Sequence, residues 1–232
     1  MFVLKSYHNA GPKGRRAWTA IRRFVPKQTR TFYEGCPAIP GQLWYRERKA
    51  LYQAIREHKP RTVFEVGTWY GGGSTFFIAQ ALHDNGGGLL YAIEPNEIAY
   101  ENAVVGYKRE VPHLLPYVRF LRGRSTDMFP EQLKGLEMVD ALFLDGAQDS
   151  LQTADEFAMF EPYLQAGSIF MAHDWDNEKM ESIRPKMEHS RDWVLETKLT
   201  APHSLGFVVY RKLPLTVRHD ASFGGTFTNQ RG

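Results

Sequence analysis

From Thr62 onward the chain alternates short, continuous apolar runs with segments of helical length, and this alternation limits the fold more than any other feature. "TVFEVG", "LLYAIEPN", "YVRFLRG", "DALFLDG" and "GSIFMAHDW" read as strands. Between them "STFFIAQALHDN", "EIAYENAVVGYKREV" and "LQTADEFAMFEPYLQ" read as helices, the first closed by the glycines after Asn85. Strands that are apolar throughout and separated by helices belong in a mainly parallel sheet covered on both faces. A helical stretch over 178–189, interrupted by Pro185, precedes "WVLETKL" and "LGFVVYRK", whose short connection predicts antiparallel pairing. The fold class expected is α/β, with helices on both faces of the sheet and an antiparallel pair at its end.

Residues 1–41 read as a basic N-terminal extension. They contain Pro12, Pro26, Pro37 and Pro40, and "RRAWTAIRRFV" suits one short basic amphipathic helix. Their apolar content is too small to close a core alone. "QLWYRERKALYQAIREH" has helical spacing and ends before Pro60, so the domain is expected over 42–213. The tail, 214–232, is polar and glycine-bearing, expected to be mobile or wrapped on a neighbour. Net charge is only +3, yet residues 1–60 hold 13 Lys/Arg against 3 Asp/Glu, leaving 16 against 23 for the rest. Such a segment suits a lid, a homodimer arm or a solvated helix better than a reader of nucleic acid. The single cysteine, Cys36, excludes an intramolecular disulfide, and no Cys/His cluster suggests structural zinc. With no secretion signal and no run of 18 apolar residues, a cytoplasmic protein without a membrane span is expected.

In an open wound sheet, ligands bind at the carboxyl ends of the strands. Those ends are Glu65-Val66-Gly67, Glu94-Pro95-Asn96, Gly123-Arg124-Ser125, Asp145-Gly146 and His173-Asp174. Acidic groups close four of the five, whereas a phosphate site wants donors and positive charge. A ligand presenting hydroxyls, an amine or a cationic centre is the better match. The loop after the first strand, "GTWYGGGST", spaces Gly67 and Gly71 as G-x-x-x-G, not as the dinucleotide G-x-G-x-x-G. Trp69 stands where a nicotinamide enzyme wants its second glycine, and no Gly-Lys-Ser/Thr phosphate loop is present.

"VFEVGTWYGGGST", "LLYAIEPN", "VDALFLDG" and "GSIFMAHDW", in that order and spacing, resemble class I S-adenosylmethionine-dependent methyltransferases. Within them the chain resembles the catechol and caffeoyl-CoA type of small-molecule O-methyltransferase and their bacterial relatives, over roughly residues 42–211. The resemblance implies a Rossmann-like seven-stranded sheet with its last strand antiparallel. It implies S-adenosylmethionine as cofactor, with Glu65 near the methionine amine, and with Gly67, Thr68, Gly71, Gly72 and Ser74 in the cofactor loop. It implies Glu94 on both ribose hydroxyls, Arg124 and Ser125 beside adenine, and Asp145 facing the methionine end. Relatives carry Ser two residues after the second loop glycine. Here Gly73 intervenes and Ser74 follows.

Methyl transfer to oxygen needs an aligned and deprotonated hydroxyl, and a divalent cation supplies both. The resemblance implies magnesium held by Asp145 and Asp174, which adjacent strands would set about 5 Å apart. Two departures stand out. Trp175 follows Asp174 where relatives have Asn, leaving Asp176 or Asn177 to substitute. Gln148 occupies the position where relatives place Lys or His as the base. His173 is the remaining candidate for that role, making Asp145, His173 and Asp174 the expected catalytic set. Trp69, Tyr70 and Trp175 are expected to wall a small hydroxylated acceptor, a sugar or a natural-product intermediate. Three other readings stay open on sequence alone: a nicotinamide oxidoreductase, a non-catalytic cofactor-binding protein and an RNA methyltransferase. The Asp/Asn-Pro-Pro-aromatic signature of base N-methylation and a Pro-Cys nucleophile are both absent.

Overall fold

The computed structural model describes residues 11–214 except 133, 135 and 203. In chain order its helices are α1 (Pro12–Ile21), α2 (Lys27–Glu34), α3 (Tyr45–His58), α4 (Ser74–Asn85), α5 (Glu97–Glu110), α6 (Ser125–Gln132), α7 (Ser150–Phe160) and α8 (Arg184–Glu188). The strands are β1 (Thr62–Val66), β2 (Leu89–Glu94), β3 (Val118–Arg122), β4 (Val139–Leu144), β5 (Leu164–His173), β6 (Trp193–Leu199) and β7 (Phe207–Lys212). They form one sheet in the order β3-β2-β1-β4-β5-β7-β6. The first five strands pair in parallel, and β7 runs antiparallel to both β5 and β6. The α/β class and the seven-stranded sheet with its antiparallel last strand are therefore as the sequence implies.

Successive side chains of a strand point to opposite faces, and here they feed two cores. Val63, Ala141, Phe143, Ile169 and Met171 join Leu51 and Ile55 of α3 and Phe77 of α4 on one face. Phe64, Val66, Leu142, Leu144, Phe170 and Ala172 join Phe129 of α6 and Phe157 of α7 on the other. The same alternation places Glu65 and His173 on the α3/α4 side. That parity decides which helices supply their partners.

The extension is less separate than its composition suggests. Phe32, Cys36 and Ile39 are buried in the α3/α4 core. The buried Arg48 of α3 donates to the carbonyls of Phe32 and Tyr33 at the end of α2, at 3.2 and 3.0 Å. α1 leans on α2 through Trp18, whose indole N–H donates to Glu34 at 2.7 Å. The expected single helix over 178–189 is a 3-10 turn at Glu178–Met180 followed by α8. Pro185 sits in the first turn of α8 and starts that helix instead of interrupting one, because its missing N–H is unneeded there. Residues 1–10 of the extension and 215–232 of the tail lie outside the described residues.

Candidate active site

The carboxyl ends of β3, β2, β1, β4 and β5 lie side by side, and backbone pairing continues past them. Gly67 donates to the carbonyl of Ile93, Asp145 to that of Val66, and Gly123 to that of Glu94, at 3.1, 3.0 and 3.1 Å. Each strand-end side chain is thus fixed relative to its neighbours. Gly67 has φ +97°, and a Cβ there would lie 2.7 Å from the backbone of Gly146. Only glycine permits that turn and that approach. Trp69 follows with φ +50°, a left-handed conformation costly for a bulky residue.

The glycine run has a tertiary explanation. A Cβ on Gly72 would sit 2.0 Å from the carbonyl oxygen of Ile39, and one on Gly41 would sit 2.2 Å from Gly72. The Gly72 amide donates to the carbonyl of Pro40 at 3.0 Å, so the end of the extension lies directly against the loop. At Gly73 the nearest atom to an added Cβ is 3.4 Å away, an ordinary contact. The steric demand falls on Gly72, and α4 begins at Ser74, two residues after it.

Below the loop, Glu65 is fully buried on β1. Thr75 donates to its Oε2 at 2.7 Å, and its Oε1 has no partner. Burial pushes its pKa up to about 7, against the lowering pull of the Ser74 and Thr75 hydroxyls. Glu94, at the end of β2, accepts from the backbone N–H of Trp69 at 2.7 Å with Oε2 and from that of Asn96 at 2.8 Å with Oε1. It therefore shapes the loop, and each oxygen retains a lone pair for a ligand.

These elements surround a cavity of about 1030 Å³. Gly67, Glu94, Arg124, Ser125, Asp145 and Asp174, all singled out from sequence, line it, together with Trp69 and Gln148. Glu65, Thr68, Gly71, Gly72, Ser74 and His173 stand behind that wall. Thr68 is buried with its hydroxyl toward the Ile93 carbonyl at 3.4 Å, and Gly71 packs on Tyr107, which donates to its carbonyl at 3.1 Å. Trp175, expected on the acceptor wall, is fully buried against Phe170 and Tyr210 in the α6/α7 core. The left-handed Asp174, with φ +56°, breaks the strand alternation and turns Trp175 to the face opposite that of Met171 and His173.

One end of the cavity holds a charge cluster that the sequence only half disclosed. The donor atoms of Asp145, His173 and Asp174 lie within 4.8 Å of one another, as β4–β5 adjacency predicts. His173 Nδ1 is 3.4 Å from Asp145 Oδ1 and 3.2 Å from Asp174 Oδ1, while its Nε2 is 3.2 Å from Glu47 Oε2. Burial would lower the His173 pKa, but Asp145, Asp174 and Glu47 overcome it and hold it well above the ordinary histidine value. Set among three carboxylates, His173 sits where its protonated form is favoured, a setting that bears on the base role expected of it. Glu47, fully buried, also accepts from the Trp44 amide at 2.6 Å and the Leu205 amide at 3.1 Å.

Lys179, which sequence reasoning missed, reaches in from the 3-10 turn after β5. Its Nζ is 3.1 Å from Asp145 Oδ1 and 2.9 Å from Asp174 Oδ2. The ammonium bridges the two carboxylates at the place assigned to magnesium. Asn177 lines the cavity but turns its Oδ1 back to the Lys179 amide, at 3.4 Å. Asp145 and Asp174 have a spacing suited to one ion, yet the set as arranged does not fit a divalent cation. The Lys179 ammonium already sits between the two carboxylates, and the Nδ1 of His173 contacts both as well. A lysine five residues after the second aspartate was the available signal for this.

A family model described as a methyltransferase domain matches residues 64–175. No curated protein matches the chain in sequence. Among solved structures, the O-methyltransferase of Bacillus cereus in complex with SAH aligns with a TM-score of 0.63 at 18% identity, covering 85% of this chain and 99% of that one. The O-methyltransferase TomG of Streptomyces achromogenes, in complex with SAM, aligns with a TM-score of 0.62 at 17% identity, covering 88% and 91%. The SAH-bound methyltransferase PaMTH1 of Podospora anserina gives 0.54 at 14% identity, covering 88% and 98%. No helix among the described residues is long and apolar enough to cross a membrane. The middle of the chain is thus similar to a methyltransferase domain, and the chain shares its fold with these methyltransferase structures.

Proposed function

We propose that the protein is an S-adenosylmethionine-dependent O-methyltransferase acting on a small hydroxylated acceptor. The observation that carries this reading is the joining, in one cavity, of the Gly67 turn, Glu94 and the Asp145/Asp174 pair. The cofactor fits these residues. Glu94 keeps an acceptor lone pair on each oxygen for a ribose diol, and Glu65 lies behind the cavity wall on the side this reading gives to the methionine amine. Arg124 and Ser125 face the cavity at the end of β3, the adenine side in this reading. The acidic rim also favours a sulfonium's positive charge.

When bound, S-adenosylmethionine supplies an electrophilic methyl, so that the acceptor oxygen bonds to carbon while the carbon–sulfur electron pair returns to sulfur. The chain's part is alignment and charge. Glu94 and the backbone it holds position one reactant, and the cluster at Asp145 receives the other. In this reading the hydroxyl proton passes to the Asp145 carboxylate, since Gln148 has no basic atom and His173, set among three carboxylates, favours its protonated form. Titration calorimetry with S-adenosylhomocysteine tests the reading: binding heat is expected, and its absence at millimolar ligand overturns it. Binding without turnover on any hydroxylated acceptor would instead favour a non-catalytic cofactor-binding protein, the reading that Gln148 motivates.

A further inference from the structure

We propose that Lys179 supplies, from the chain itself, the cation that relatives of this type are expected to take from solution, and that its ammonium meets the acceptor oxygen directly. The inference rests on the reading above for what enters the cavity, but its central claim concerns only this chain's residues. Nζ sits between Asp145 Oδ1 and Asp174 Oδ2 at 3.1 and 2.9 Å, and the side chain is only 10% exposed. Two of its three N–H donors are thereby used, and the third is left for an oxygen in the cavity that Lys179 lines.

The lysine is built in. Asn177 caps the 3-10 turn that carries it, and Met180 of that turn is buried in the α6/α7 core. Arg184 clamps the approach by donating to the carbonyls of Trp175 and Asn177, at 3.0 and 2.8 Å. The Trp175 amide donates to Gly206 at 3.1 Å, and a Cβ on Gly206 would lie 2.6 Å from the Asp176 amide. Nothing in this loop resembles a surface lysine that happens to fold over an acidic patch.

Charge gives the same answer. The Lys179 ammonium offsets part of the Asp145 and Asp174 charge beside a cavity meant for a cationic methyl donor. A divalent ion would have to displace an ammonium already paired with both of its carboxylate ligands. A fixed ammonium orients an acceptor oxygen and stabilises negative charge growing on it without reorganisation.

Mn2+ binding, followed by electron paramagnetic resonance on the full chain, tests the proposal without relying on turnover. Wild type is expected to show no site filled at about 1 mM Mn2+. Lys179→Ala is expected to gain one, binding at least about tenfold tighter than wild type. Lys179→Arg keeps a cation and is expected to gain none, and Asp145→Asn in the Lys179→Ala background is expected to abolish the gained site. Wild-type Mn2+ binding that Asp145→Asn removes would overturn the proposal, and this arm stands even if Lys179→Ala does not fold. A folded Lys179→Ala with no gain would overturn it equally. S-adenosylhomocysteine calorimetry on the same samples reports the cofactor reading separately: heat with a Mn2+-binding wild type refutes only the lysine.

Discussion

Replacing Glu65 by Gln is expected to stabilise the free protein above neutral pH while weakening its hold on the cofactor. Burial raises the Glu65 pKa to about 7, whereas the same side chain in the unfolded chain ionises near its ordinary 4.5. Between those values the folded chain keeps a proton that the unfolded chain has released. Stability therefore falls as pH rises from about 4.5, and the loss is complete above about 7. The span corresponds to about 3 kcal/mol. Gln presents a carbonyl oxygen to the same Thr75 hydroxyl, now 2.7 Å from Oε2, and carries no charge to desolvate. In urea unfolding, the two proteins are expected to agree near about pH 5 and to differ by about 2–3 kcal/mol near about pH 8.5, Gln being the more stable. Parallel stabilities across that range would refute the reasoning. Affinity for S-adenosylhomocysteine is expected to move the other way. In wild type it strengthens as pH passes about 7, because an ammonium group pairs with the ionised carboxylate, and in Glu65→Gln it is weaker and flat. Stability gained where function is lost is what a buried, half-satisfied carboxylate at a binding site produces.

Gly72→Ala is expected to cost about 2–4 kcal/mol in denaturant unfolding, because its Cβ meets the Ile39 carbonyl, while Gly73→Ala costs under about 1 kcal/mol. Equal losses at the two positions would dissociate the glycine run from the crossing of residues 39–41. Glu94→Gln is expected to weaken S-adenosylhomocysteine about 10- to 100-fold by calorimetry, since one carboxylate oxygen becomes an amide donor facing the Trp69 or Asn96 N–H. Unchanged affinity would remove Glu94 from the ribose role. Glu47→Ala strips the buried His173 of one carboxylate partner and two backbone amides of their acceptor. A loss of about 3–5 kcal/mol is expected in urea unfolding, with a lowered His173 pKa by NMR, and an unmoved histidine resonance would refute the pairing.

How much of this was legible beforehand depended on the range of the interactions. Apolar runs of five or six residues, closed by Gly, Asn or Asp, are local patterns, and β1, β2 and β4 fall within a residue or two of where those patterns put them. Glu94 and Asp145 were readable for the same reason: a parallel sheet places strand ends together whatever the loops do. Asp174 could be paired with Asp145 because consecutive parallel strands neighbour each other, and β4 and β5 do. Tyr107 under Gly71 and the carbonyl of Ile39 against Gly72 had no such local sign.

The sequence by itself determined the sheet, its two apolar faces and the acidic strand ends, because each follows from a period or a boundary carried by neighbouring residues. Only the tertiary structure decided what those carboxylates meet. Glu47 comes to His173 from α3, far earlier in the chain, and strand parity fixes the face but not which helix covers it. Lys179 reaches Asp145 from 34 positions away, through a loop whose path depends on the left-handed Asp174, a buried Trp175 and the close approach of Gly206. Such a path is fixed by packing between distant segments, and packing is a property of the folded chain, not of any stretch of it.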